Sequence, residues 1–166
     1  MILILKNNES LICDYFKFKC AIGSGGKTIT KFEGDKKTPK GTFSIGKLFY
    51  RPDRKDKPET KLKCIKINRT MGWCDDVNSK KNYNKLIKIN NKSNIKHEKL
   101  FRKDFIYDYI ITINYNTNKV TPGKGSAIFI HLTKNYKKTL GCIALKEKDF
   151  MILAKITKKK SKIIIS

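Results

Sequence analysis

A histidine and a cysteine eleven residues apart, His131 and Cys142, carry the clearest chemical signal in this sequence. Both lie in the stretch Ser126 to Leu145, SAIFIHLTKNYKKTLGCIAL. A thiol is a weak nucleophile until it loses its proton, ordinarily at a pKa of about 8.5. A neighbouring imidazole can take that proton and leave a thiolate–imidazolium pair. Gly141 precedes the cysteine, and a residue without Cβ lets backbone approach a reacting carbonyl. The N–H groups of Gly141 and Cys142, with that of Leu140, are then candidate donors to a developing oxyanion. The competing reading is a structural cysteine and a satisfied core histidine, since cysteine is among the most buried residue types. The Gly-Cys turn and a histidine placed on a strand favour the nucleophile.

The flanking residues supply the elements that position the pair. Ala127, Phe129 and His131 alternate onto one face of a predicted strand, and Ile128, Ile130 and Leu132 onto the other. A basic, polar loop over 133–138 follows, and Thr139-Leu140-Gly141-Cys142 closes it into a second apolar run, 143–145. The loop is long enough to turn back and set Cys142 beside His131.

This stretch resembles the catalytic signature of the L,D-transpeptidase (YkuD-type) family, in which a strand histidine precedes a Ser/Thr-x-Gly-Cys element. His131 matches the base, Cys142 the nucleophile, and Thr139 and Gly141 the flanking positions. Leu140 stands where many members carry a second histidine, and Leu132 where many carry glycine. The resemblance implies that a backbone carbonyl, here that of Leu132, orients the imidazole. A second element, Gly34-Asp35-Lys36-Lys37-Thr38-Pro39-Lys40-Gly41-Thr42-Phe43-Ser44-Ile45, is similar to the family's G-D-x-x-T-P-x-G-x-[FY]-x-I; it reads as a loop, turn and strand that shape the site's rim. The pieces RTMGWCD, YN, LFRKDFIYD and GKGSAIFIH, in this order, resemble a subgroup of the same family, so the likeness spans about residues 20–155. Arg69, Trp73, Arg102, Tyr107, Ser126 and Thr139 thereby become candidate substrate-binding residues. Arg69 and Arg102 suit bidentate capture of a carboxylate, or structural ion pairs with Asp75, Asp76 or Asp108. Trp73 reads more readily as a packed wall than as a substrate platform.

The resemblance implies a peptidoglycan stem-peptide donor, release of its terminal D-amino acid, and capture of the acyl group by an amine or by water. It also implies a mainly β, sandwich- or barrel-like core with one or two short helices, which the strand pattern supports independently. At 166 residues the chain suits one domain, 1–166, with a sizeable core, expected to be monomeric. The formal charge of +24 is mostly scattered lysine. It reads either as a solvated surface or as attraction to an anionic polymer, wall material or nucleic acid. No nucleic-acid-binding motif accompanies it. A non-catalytic basic binding module is therefore the alternative from a different class.

Cys13, Cys20, Cys64, Cys74 and Cys142 form no CxxC pair, and neither histidine falls at ligand spacing from them, so neither a zinc site nor any other cofactor is expected. Cys74 reads as structural. No apolar run approaches the roughly 18–20 residues of a membrane helix, and residues 2–5 are too short for a signal-peptide core. No export signal is legible, whereas the family's substrate implies the cell envelope.

Of the remaining segments, 21–28 (AIGSGGKT) is permissively similar to a phosphate loop but runs into β-branched residues rather than a helix, so it reads as a turn between strands. Residues 2–5 and 11–22 read as opening strands, with Ile12, Phe16, Phe18 and Cys20 on one face. Residues 51–61 read as an exposed loop, 62–67 as a strand and the stretch after Asn84, to about 96, as a lysine- and asparagine-rich segment. A short helix carrying an exposed His97 is expected over 97–104. Residues 107–115 read as a strand with Tyr107, Tyr109, Ile111, Ile113 and Tyr115 on one face. A helix from 146, with Ile152, Leu153 and Ile156 inward and Phe150 at its edge, and a last strand over 162–166 complete the chain.

Overall fold

Alternation of apolar and polar residues makes strands the main regular structure of this chain, and eight of them close on themselves. A computed structural model describes residues 1–90 and 94–166; residues 91–93, part of the lysine- and asparagine-rich segment, lie outside the described residues. The chain begins with β1 (Ile2–Leu5), β2 (Ser10–Cys13) and β3 (Phe16–Ala21). Two short strands, β4 (Lys27–Thr28) and β5 (Thr38–Pro39), pair in parallel. The long β6 (Gly41–Tyr50) and β7 (Cys64–Lys66) follow. Next come β8 (Met71–Cys74), β9 (Leu86–Lys88) and β10 (His97–Lys99), a separate three-stranded sheet in the order β10-β8-β9. The chain ends with β11 (Tyr109–Ile113), β12 (Phe129–Leu132), β13 (Ile143–Leu145), α1 (Glu147–Ile156), the one α-helix among the described residues, and β14 (Lys162–Ile165).

The main sheet runs β11-β12-β13-β3-β2-β1-β14-β6-β7, and β11 also pairs with β6. That last pairing closes eight of the strands into a barrel, which removes their free edges. The fold is thus mainly β, as expected. Leu3, Leu5, Leu11, Ile163 and Ile165 point into the barrel and are almost wholly buried. β11 and β12 are buried on both faces. Ile128, Ile130 and Leu132 join the barrel core, while Ala127 and Phe129 join a second cluster with Phe49, Tyr107 and Cys142. The predicted two-faced alternation of 127–132 therefore holds.

Several local readings are corrected. Residues 11–22 are a hairpin rather than one strand: the chain reverses at Asp14 (φ 50°), so Leu11 and Cys13 face inward from β2, Phe18 and Cys20 from β3, and Phe16 is exposed. Residues 97–99 form an edge strand on β8, not a helix, and His97 is half-buried with Nδ1 on the Ile95 carbonyl at 2.6 Å. Tyr107 precedes β11 and belongs to the second cluster, apart from Tyr109, Ile111 and Ile113. Phe150 lies at the centre of the buried face of α1, with Leu153 and Ala154, and stacks on Tyr109. Arg51, read as part of an exposed loop, is buried, its guanidinium on Phe101 and chelated by Asp53.

Candidate active site

Parallel pairing of β12 with β13 sets Ile130 opposite Ile143 and His131 opposite Ala144. Cys142, one residue before β13, consequently falls beside the start of β12, on the face that carries His131. Its Sγ donates to the Ala127 carbonyl at 3.1 Å and accepts the Phe129 N–H at 3.3 Å. His131 is buried and its Nδ1 lies 2.9 Å from the Leu132 carbonyl. A carbonyl only accepts, so Nδ1 carries the proton and Nε2 is the basic nitrogen. The Tyr107 ring meets the imidazole edge-on at 5.5 Å.

Burial sets the protonation states. It pushes the Cys142 thiol up to about 12, with Glu98 adding to the rise and the Phe129 N–H and Lys31 opposing it. It lowers His131 to about 4, against the bond to Leu132. Burial therefore favours the neutral thiol and the neutral imidazole, because desolvation outweighs the local hydrogen bonds.

The Thr139–Cys142 turn is braced from three sides. Thr139 Oγ1 donates to the Cys142 carbonyl at 2.6 Å and accepts the Gly141 N–H at 3.1 Å. The Gly141 N–H is therefore engaged inside the turn and does not point outward as expected. Gly141 sits at φ 137°, and a Cβ there would lie 2.9 Å from the Lys37 carbonyl oxygen, so the position requires glycine. Thr38, wholly buried, donates to the Gly141 carbonyl at 2.8 Å and accepts the Gly23 N–H at 3.0 Å. The Ser24 N–H reaches the Thr139 carbonyl at 2.9 Å, and the Thr139 N–H reaches Ile22. Both segments read from sequence as turns or rim, 21–28 and 34–45, hold the cysteine turn directly.

The family model of the L,D-transpeptidase catalytic domain matches residues 2–165. The chain belongs to that family. No curated protein sequence matches it. Among solved structures, this L,D-transpeptidase domain is similar to Bdellovibrio bacteriovorus Bd1075 (TM-score 0.51, 13% identity, 99% of this chain and 47% of that one). It is similar also to the helical cell shape determining protein Pgp2 from Campylobacter jejuni (TM-score 0.51, 19% identity, 99% and 46%). At these identities the likeness is one of fold, and the chain spans less than half the length of either structure.

A cavity of about 750 Å³ opens over the cysteine of this L,D-transpeptidase domain, and Cys142, His131, Leu132, Arg102, Tyr107, Ser126 and Thr139 all line it. Two predicted substrate contacts do not. Arg69 lies over the Phe101 ring, 5.1 Å from its centroid. Trp73 donates Nε1 to Asn84 Oδ1, packs edge-on against Phe49 and Phe129, and lines a separate cavity of about 300 Å³. Arg102 reaches the cavity, but its fork is bidentate on Asp104, at 2.9 and 2.6 Å, with its carbon over Tyr107. Neither arginine pairs with Asp75, Asp76 or Asp108 in the described ion pairs; Asp108 binds Arg54. Cys74 is buried, as expected of a structural residue.

Sequence reading missed Lys31 and Glu98, and placed Asp35 only within the rim element 34–45. Lys31 Nζ binds Asp35 Oδ1 at 2.6 Å with both side chains almost fully buried, and Lys31 lines the cavity. Glu98 accepts a hydrogen bond from the Tyr107 hydroxyl and lines the same cavity. The i,i+4 spacing of Lys31 and Asp35 was the one available signal. It was hidden among 38 lysines and arginines.

Proposed function

We propose that this domain catalyses cysteine-dependent acyl transfer on peptidoglycan stem peptides. The observation that carries the reading is the placement of Cys142 Sγ against the backbone of the strand that bears His131, in one cavity with Nε2 of the imidazole left basic. The thiol proton passes to Nε2 as Sγ bonds to the peptide carbonyl carbon. The tetrahedral oxyanion then collapses, the C–N bond breaks, and His131 returns the proton to the departing D-amino acid amine. The resulting thioester is attacked by an acceptor amine, giving a cross-link, or by water, giving L,D-carboxypeptidase hydrolysis. In either case His131 accepts the nucleophile's proton and returns it to the leaving sulfur.

A neutral resting pair suits this sequence of events. Proton transfer occurs with attack rather than before it, so the buried site never holds an uncompensated thiolate without substrate. The Cys142 N–H is the backbone donor we assign to the oxyanion, since the Gly141 N–H serves Thr139. Thr139 acts as a brace of the turn, and Ser126, Tyr107 and Arg102 form the substrate-facing wall.

The test is chromatographic analysis of disaccharide-tetrapeptide stems incubated with the wild type, Cys142→Ala and His131→Gln. Loss of the terminal D-amino acid in the wild type alone supports the reading. Cross-linked dimer assigns the amine acceptor and free tripeptide assigns water. Equal conversion by Cys142→Ala contradicts it.

A further inference from the structure

Lys31 is the least expected residue in the cavity. A buried ammonium is costly unless it is paired, and this one has a partner in Asp35 at 2.6 Å. That carboxylate also accepts the backbone N–H groups of Phe32 (3.1 Å) and Lys37 (2.8 Å), so its charge is shared among three donors. Two glycines make room for the lysine. A Cβ on Gly125 (φ 92°) would lie 2.7 Å from Lys31 Cε, and one on Gly141 would begin 3.6 Å from Lys31 Nζ. The ammonium therefore lies against the turn that carries the nucleophile.

Charged and titratable groups line the cavity with Cys142 from every side, among them Arg102, Glu33, Asp75 and Lys96. Lys31 approaches from the loop after β4 and Glu98 from β10; Tyr107 stands just before β11 and His131 on β12. Lys31 and Glu98 act on the sulfur in opposite directions. Acyl transfer creates negative charge here twice, on the sulfur and on the tetrahedral oxygen, and one of the three candidate backbone donors is engaged inside the turn. A fixed cation in a site with little water is worth more than the same cation in solvent.

We propose that Lys31, held by Asp35 between Gly125 and Gly141, is a positioning residue whose fixed positive charge stabilises the anionic sulfur of Cys142 as the reaction develops. The inference rests on the acyl-transfer reading and deepens it.

The test measures the rate of carbamidomethylation of Cys142 by iodoacetamide, a neutral reagent, read by mass spectrometry of the peptide containing residue 142, from pH 7 to 10. Lys31→Met keeps the stem and removes the charge. Its rate is expected to fall about tenfold at every pH, as for a thiol pKa raised by about one unit. Lys31→Arg is expected to stay near wild type, and Glu98→Gln to react faster. A merely structural lysine predicts the opposite sign, since loosening the packing exposes the thiol. If Lys31→Met does not fold, Gly125→Ala, which displaces the lysine stem, is expected to slow the reaction in the same way. Unchanged or faster alkylation in Lys31→Met, or in Gly125→Ala where that variant is needed, overturns the proposal. Stem-peptide conversion by the same proteins separates the two readings. A wild type that converts stems through Cys142, with alkylation indifferent to Lys31, loses only the lysine's role. Equal conversion by Cys142→Ala removes the acyl-transfer reading itself.

Discussion

Replacing Thr38 by valine isolates the contact that ties the family's Thr-Pro element to the Thr139–Cys142 turn. The side chain keeps its shape, so no cavity forms, but the hydroxyl is lost. That hydroxyl accepts the Gly23 N–H at 3.0 Å and donates to the Gly141 carbonyl at 2.8 Å, and the residue has no exposed surface. Both backbone groups are left without their partner in a dry place. Each orphaned group costs about 1–3 kcal/mol, so a loss of about 2–6 kcal/mol in unfolding free energy is expected, toward the lower end where water enters. That is a large share of the roughly 5–15 kcal/mol typical of a small domain. Urea unfolding followed by circular dichroism measures it, with the slope against denaturant expected to stay unchanged. Stem conversion should fall as well, because the Gly141 carbonyl fixes the turn from which Cys142 projects. A loss below about 0.5 kcal/mol, the range of an ordinary surface substitution, with unchanged conversion, would refute the claim that Thr38 holds the turn.

Other perturbations follow from the same contacts. His131 falls to about 4 in the folded chain from an ordinary 6.5. Its contribution is therefore fully present above pH 6.5 and is lost as pH falls toward 4, on the order of 3 kcal/mol in all. Unfolding measured across that window should show this slope in the wild type and a shallower one in His131→Gln. Gly141→Ala forces a Cβ to 2.9 Å from the Lys37 carbonyl oxygen at φ 137°. Its kcat on stem peptides should drop about 100-fold through misplacement of the thiol, measured by product release. Arg69→Ala should leave KM for stem peptides within about twofold, because Arg69 stacks on Phe101 away from the Cys142 cavity. A large rise in KM would return Arg69 to substrate binding.

The legible parts of this chain are those where local pattern and tertiary packing agree. The 127–132 alternation survives because its two faces are buried in two different clusters, so both must be apolar in register. The Gly-Cys turn is readable because a positive φ beside a backbone carbonyl admits only glycine. The hairpin at Asp14 was hidden because its turn holds neither glycine nor proline and the apolar alternation runs straight through it. The helix expected over 97–104 gives way at 97–99 to pairing with β8. The buried cations Lys31 and Arg51 were illegible for a different reason. In a chain this rich in lysine, a spacing such as that of Lys31 and Asp35 does not by itself distinguish a cation folded inward onto a carboxylate from the many that face solvent. Trp73 and Arg69 matched family positions, but which side of a wall they face is decided by how the three-stranded sheet packs.

The central claim is tested most directly by intact-protein mass spectrometry after rapid acid quench of the domain mixed with a tetrapeptide stem. The account predicts a mass increase equal to the stem less its terminal D-amino acid, carried as a thioester on the peptide containing Cys142, absent in Cys142→Ala and strongly reduced in His131→Gln. A stem consumed at the wild-type rate by Cys142→Ala, or an adduct that maps to any other cysteine, would contradict it.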